Sequence, residues 1–249
     1  MNNFVVYTAI TGNYDDIKPL SYVSKNLDYL CFTDYDFNGL IPAPWKQVRL
    51  PKSVWSNKDL ARYCKMNIHE ILPHYKGSMW IDGNIDIINN VDDLIKDSIC
   101  ISPISSYEHW SRCNIYQEME ECAKIGFDSV FILKNQVNFY NQEGFISNEL
   151  FETNVLIRDH TAHCFHDLSA LWWSQYVKFG KRDQYSLTYA AWKFDVKINN
   201  LGIHDPRFVN KYFSYSSHAS NDKIKFSKFD LMKKLNKLLN RLALLIVKI

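Results

Sequence analysis

No stretch of this 249-residue chain reaches the roughly 18 consecutive apolar residues that a membrane-crossing helix requires. No basic segment followed by an apolar run and a cleavage site opens it, so a secretory signal is not expected. None of the six cysteines forms a Cys-x-x-Cys pair. Cys31, Cys64, Cys100, Cys113, Cys122 and Cys164 therefore read as reduced thiols, several of them in apolar runs, in a cytosolic protein. No repeat, linker or low-complexity tract divides the chain. A charge excess is missing too: 29 Lys and Arg against 27 Asp and Glu leave a formal net charge of +2, which gives no footprint for a nucleic acid.

What is present is an ordinary globular balance, 47% hydrophobic and 22% charged. Aromatic residues reach 15%; they fill cores, and some stack on sugars and bases. Phe4 to Ile10 reads as a buried strand, Leu27 to Phe32 as a second and Gln47 to Leu50 as a third. Ser56 with Asp59 is a capping signature that opens a helix, which Pro73 ends. Met79–Ile81, Ile99–Ile104 and Asn154–Ile157 read as further strands. Cys113–Ile125, Phe165–Val177 and Asp183–Trp192 read as helices, and Gly126–Glu152 as less regular. The alternation predicts an α/β fold with a mainly parallel sheet between helices, as one domain over residues 1–220.

Five groups of residues could carry chemistry. In Trp80-Ile81-Asp82-Gly83-Asn84-Ile85-Asp86 a carboxylate leaves an apolar strand at a glycine turn. At the carboxyl end of a strand Asp82 would face the crevice and could hold a divalent cation against a diphosphate, or it could close an Asx-turn. Arg62, Lys65 and His69 share a helical face, suited to a diphosphate or simply to solvent. The charged stretch Glu108-His109-Trp110-Ser111-Arg112 falls in a loop at the same end of the sheet, either binding or plain surface. Asp183 either caps a helix or faces the crevice beside the reacting sugar carbon. His160, His163 and His166 with Cys164 have the composition of a zinc site but drift around a helix, while the late His204 and His218 would complete a metal site or serve structure.

The ordered set Tyr7-Thr8-Ala9-Ile10-Thr11-Gly12-Asn13-Tyr14-Asp15, Asp28 to Asp34, Ala61 to Met66, Trp80 to Asn84, His109 to Arg112, Val155 to His160 and Arg182 to Ser186 resembles a glycosyltransferase-like family. That family was first catalogued as a domain of unknown function, and its plant members include a seed-coat mucilage galacturonosyltransferase. The resemblance implies a GT-A-type, Rossmann-like nucleotide-binding fold and a nucleotide-sugar donor, with a uridine one expected. Tyr7, Thr8, Ala9 and Asp34 would hold the nucleoside, and Arg62 and Lys65 the diphosphate, with His109 and Arg112 nearby. Asp82-Gly83-Asn84 would stand where relatives carry Asp-x-Asp, with Asn84 the poorer metal ligand and Asp86 a substitute. Asp183 and Gln184 would sit beside the anomeric carbon, with retention of configuration. A manganese or magnesium ion on Asp82, with His218, is the cofactor this implies. The acceptor would be a glycan or lipid-linked intermediate of surface polysaccharide synthesis. A metal hydrolase, since some members are labelled ceramidases, and a non-catalytic nucleotide-sugar-binding module are the competing readings.

From Phe229 onward the period is helical. Met232, Leu235, Leu238, Leu239, Leu242, Leu245, Ile246 and Ile249 share one face, and Lys233, Lys234, Lys237, Arg241 and Lys248 the other, with Leu244 an intruder. Residues 221–249 thus read as a basic amphipathic helix lying on an anionic membrane surface, which would place the enzyme peripherally at the inner face of the membrane; docking on the domain's own core or on a second subunit is the alternative.

Overall fold

The computed structural model describes residues 2–205, 208–216 and 228–246. A seven-stranded sheet runs β3-β2-β1-β4-β7-β6-β8, where β1 is Phe4–Ile10, β2 Asp28–Thr33, β3 Lys46–Arg49, β4 Gly77–Ile81, β6 Ile104–His109, β7 Phe151–Asp159 and β8 Asn199–His204. All neighbours pair in parallel except β7, which opposes both β4 and β6, so six strands share one direction. Buried on both faces, β1 splits by alternation: Val5 and Tyr7 join one core cluster, Val6 and Ile10 the other. β5 (Ile85–Ile87) pairs antiparallel with β9 (Phe213–Tyr215) in a separate ribbon.

Helix α1 (Asn57–Met66) begins as its capping signature predicts, Ser56 Oγ accepting from the Asp59 amide at 3.1 Å. Its chain breaks at Asn67 before the short α2 (Ile68–Ile71), ahead of Pro73. The remaining helices are α3 (Asp92–Ile101), α4 (Ile115–Lys124), α5 (Val130–Gln142), α6 (Phe165–Lys178), α7 (Gln184–Lys193) and α8 (Lys228–Ala243). Two sequence readings are corrected. Ile99–Ile101 closes α3, whose Asp92, Ile95 and Ser98 are buried at a helical period, and the strand starts only at Ile104. The stretch read as irregular holds α5, buried through Val130, Leu133, Gln136, Val137 and Tyr140. The expected boundary at 220/221 lies outside the described residues.

A third core cluster joins α4, α5 and α7, and Ala243 and Leu244 pack on its edge. Asn240, 2% exposed, fixes α8 there. Its amide donates to the carbonyls of Ala123 and Asp128 at 2.9 and 2.8 Å, and its oxygen accepts from the Val130 N–H at 3.0 Å. Gly126 admits this contact: its φ is +77°, and a Cβ there would meet the Lys233 carbonyl oxygen and the Lys237 amide.

Candidate functional site

The carboxyl ends of β1 to β4 and the amino end of the reversed β7 lie at one edge of the sheet, where ligands of open α/β folds bind. Asp82 follows β4, and its amide donates to the Asn154 carbonyl of β7 at 2.9 Å. A Cβ on Gly83 would stand 2.5 Å from Ile10 Cδ1, so a larger residue here would push that side chain aside. At the far end of α1, Lys65 reaches the same place and α7 contributes Asp183 from the residue before its first turn.

These charges form a fixed network. Lys65 Nζ, 1% exposed, lies 2.5 Å from Asp183 Oδ2, 3.4 Å from Asp82 Oδ1 and 3.4 Å from Thr153 Oγ1. Thr153 also donates to Asp183 at 3.1 Å, and Arg62 Nε stands 3.6 Å from the same carboxylate. Burial acts to raise the Asp183 pKa, but Arg62 and Lys65 outweigh it and hold the carboxyl well below the usual range. Asp183 makes no side-chain cap. Asp82 Oδ1 accepts from the Trp80 indole at 2.7 Å, and its side chain is 31% exposed.

Below this network sits a buried clamp. Arg158 donates to the Lys65 carbonyl and to the Tyr7 hydroxyl, which lies 3.3 and 3.2 Å from the carbonyls of Cys64 and Lys65. A guanidinium there satisfies carbonyls that end α1 and complements the helix dipole. Tyr7 and Thr8 are both fully buried. Tyr7 supports the end of α1 from beneath, and Thr8 lies under the Gly83 turn with its Oγ1 without a hydrogen-bond partner. Ala9 is partly buried against the same core. Lys65 likewise positions its neighbours, because its ammonium is enclosed by protein oxygens, while Arg62, with 27% of its side chain exposed, is the accessible cation.

Other expected residues are placed as follows. Asp34 accepts from the Gly12 amide and lines a polar cleft of about 290 Å³ with Gly12, Tyr35, Ser53, Trp55 and Asn57. Gln184, 3% exposed, spends its amide on the Phe151 carbonyl at 3.1 Å and accepts from Arg182 at 2.6 Å, so it braces β7 instead of facing a sugar. His109 Nδ1 accepts the amides of Ser111 and Arg112, both at 3.1 Å, and Arg112 Nη2 lies 2.8 Å from Nε2. Burial first, then the Arg112 guanidinium, lowers its pKa to about 4. Arg112 and Arg182 both grip the buried Glu118, and the loop is a structural corner.

The residues expected around a metal are placed as follows. Asn84 donates to the Ser216 carbonyl at 3.0 Å, and Asp86 holds Ser21 through its amide and hydroxyl at 2.8 and 2.6 Å. His204 is buried between Tyr107 and Tyr215, ring centroids 5.2 and 4.4 Å away, and burial lowers its pKa. His218 lies outside the described residues. The histidine cluster is spread as well, with His160 bonded to Ser78 at 2.8 Å and His69 stacked on His166 at 4.5 Å. Among the described residues no group of three or more His, Cys, Asp or Glu is arranged to hold a metal ion.

Sequence reasoning missed Glu152 and Asn154 at the start of β7. Burial first, then the nearby Glu118, outweighs the adjacent arginines and pushes Glu152 up to about 7. Its Oε1 has no hydrogen-bond partner, and the same holds for Asn154 Oδ1, Asp34 Oδ1 and Arg62 Nε. With Thr8 Oγ1, these are five buried polar atoms without a hydrogen bond at one edge of the sheet; they require an explanation, and a polar ligand provides one. The only sequence sign of Glu152 is its place just before a strand run.

A family model described as TOD1/MUCI70, glycosyltransferase-like domain, matches residues 37–213. No curated protein sequence matches. Among solved structures, an apo WbbM bifunctional glycosyltransferase is similar with a TM-score of 0.46 and 12% identity over 95% of this chain, which spans 44% of that one. Apo mouse xyloside xylosyltransferase 1 gives 0.44 and 8% identity, covering 80% of this chain and 84% of that one. The galactosyltransferase LgtC, solved with donor and acceptor sugar analogues, gives 0.43 and 9% identity, covering 94% and 95%.

Proposed function

The chain belongs to the TOD1/MUCI70 glycosyltransferase-like family, and from that premise we propose that it moves a sugar from a nucleoside diphosphate sugar to a glycan or lipid-linked acceptor. The observation that carries this reading is a pair of buried polar atoms beside α1 that make no hydrogen bond, Arg62 Nε standing 3.6 Å from Asp183. Asp34 Oδ1, an acceptor, adjoins the cleft at the helix's start, and Arg62 Nε, a donor, lies further along it. A nucleoside offers N–H and O–H donors to the first, and a diphosphate offers oxygens to the second. Tyr35 and Trp55, 55% and 41% exposed on the cleft, supply ring faces for the base.

As the glycosidic bond breaks, negative charge builds on the leaving diphosphate and positive charge on the sugar carbon. Arg62 meets the first charge, held in place by Asp183, which Lys65 in turn anchors. Asp82, the more exposed carboxylate, faces the second. Among the described residues no group of three or more His, Cys, Asp or Glu is arranged to hold a divalent cation. No step here runs through a metal. A uridine donor, hexosyl or uronosyl transfer, retention of configuration and a role in surface polysaccharide synthesis belong to the same proposal.

The test is calorimetry of the chain with nucleosides, nucleoside diphosphates and their sugars, followed by product analysis with NMR of the anomer. Binding of a nucleotide sugar, with transfer or slow hydrolysis, is expected. Failure of every nucleotide across a broad panel overturns the reading.

A further inference from the structure

Helix α8 is attached to the domain by what the sequence pattern makes its polar side. Asn240 is the anchor, and Leu244, out of place on the basic face, packs with Ala243 against the α4–α5–α7 core. The apolar face is therefore turned away from the protein. Leu231, Leu235, Leu238, Leu239, Leu242 and Ile246 are 58%, 47%, 62%, 51%, 63% and 87% exposed. Each such side chain forgoes roughly half or more of the about 1.5–3 kcal/mol that full burial supplies. A docked helix with its greasy side outward presents a contiguous apolar patch, which marks a binding surface.

We propose that this face is a membrane-surface anchor that lies in the headgroup region of an anionic bilayer. The charge pattern selects this occupant. Lys237 and Arg241 run beside the stripe, and α8 carries a single carboxylate, Asp230, near its start, against Lys228, Lys233, Lys234, Lys237 and Arg241. A second copy laid face to face would bring these cations together with only Asp230 in each helix to offset them. Anionic headgroups supply that offset at about 1 kcal/mol per cation near the surface. Sixteen helical residues give roughly 24 Å of length, enough to lie flat. Among the described residues no helix is long and apolar enough to cross a membrane. The anchor is rigid with respect to the catalytic domain, because Asn240 and Gly126 fix it by hydrogen bonds and close backbone contact. This inference is independent of the nucleotide-sugar reading.

The test uses the full chain and sedimentation with vesicles of phosphatidylcholine alone or with about 30% phosphatidylglycerol, a strongly anionic surface. Wild type is expected on the anionic vesicles, with binding falling as salt rises from about 0.05 to 0.5 M. Joint replacement of Leu235, Leu238, Leu239 and Leu242 by Gln removes exposed groups only, so circular dichroism and Tm should stay unchanged while partitioning drops by at least about tenfold. Lys237→Gln with Arg241→Gln should abolish the preference for anionic over neutral vesicles. Equal partitioning of wild type and the four-Gln variant overturns the proposal. So does a dimer by light scattering that the four substitutions dissolve, in a wild type that binds no vesicles.

Discussion

Two carboxyls at the site are tuned in opposite directions, and each makes stability depend on pH in its own window. Glu152 stands near 7 in the folded chain, because burial and Glu118 disfavour its charge, against about 4.3 when unfolded. Below about pH 4 it is protonated in both states and costs nothing; as pH rises toward 7 the unfolded chain releases the proton first, so stability falls, levelling off above 7. The loss is up to about 3.5 kcal/mol. Glu152→Gln should therefore raise stability at pH 8 and leave it unchanged at pH 4, as read by urea unfolding; an equal effect at both pH values would show that Glu152 titrates normally. Asp183 behaves conversely. Its folded pKa is depressed by Arg62 and Lys65 against the effect of burial, so its contribution is present above about pH 4 and lost as pH falls further. Asp183→Asn leaves Lys65 buried beside a neutral amide and should cost roughly 3–5 kcal/mol at pH 7. Arg62, Lys65 and Asp183 were legible as charges in motifs. The tuning of Glu152 was not, because Glu118, Arg112 and Arg182 come to it from distant parts of the chain.

At the scale of elements, strong local signals were readable and tertiary ones were not. β1 and the capped start of α1 follow directly from residue type and order. α3 was hidden because Ile99, Cys100 and Ile101 are poor helix formers by themselves, and the helix holds through Ile95 and through Asp92, which Ser24 and Asn26 bind at 2.9 and 2.6 Å. α8 was legible as an amphipathic helix, but not the side by which it docks, since one asparagine decides it. Asn240→Ala would strand two carbonyls and one N–H in a buried seam, at about 1–3 kcal/mol for each group left unpaired. We expect hydrogen exchange to show α8 losing protection while the central sheet keeps its own. Unchanged protection in α8 would mean that Leu244 and Ala243 suffice to hold it.

At the scale of the whole molecule, the sheet gathers its carboxyl ends so that one helix spans the site. Asn57 and Leu60 of α1 line the Asp34 cleft, and Arg62 and Lys65 meet Asp82 and Asp183 further along. Such an arrangement should split nucleotide recognition into two parts that can be removed separately. Asp34→Ala takes away a carboxylate oxygen held ready by the Gly12 amide, so it should weaken nucleoside, monophosphate and diphosphate by a similar factor. Arg62→Met should leave the bare nucleoside untouched. It should erase the extra affinity gained on adding the diphosphate, about 1.5–3 kcal/mol for a charge-assisted contact, or roughly tenfold to hundredfold in Kd. The salt dependence of diphosphate binding should shrink with it, since the lost contact is ionic. Because no group of three or more His, Cys, Asp or Glu among the described residues is arranged to hold a metal ion, a chelator should change the wild-type diphosphate affinity by no more than about as much as one neutral hydrogen bond is worth, 0.5–1.5 kcal/mol. Titration calorimetry of the three nucleotides against wild type and both variants, with and without chelator, reads all of this at once. If Arg62→Met weakens the nucleoside as much as the diphosphate, α1 does not span the ligand. If the chelator abolishes diphosphate binding, a cation and not Arg62 carries the phosphate charge.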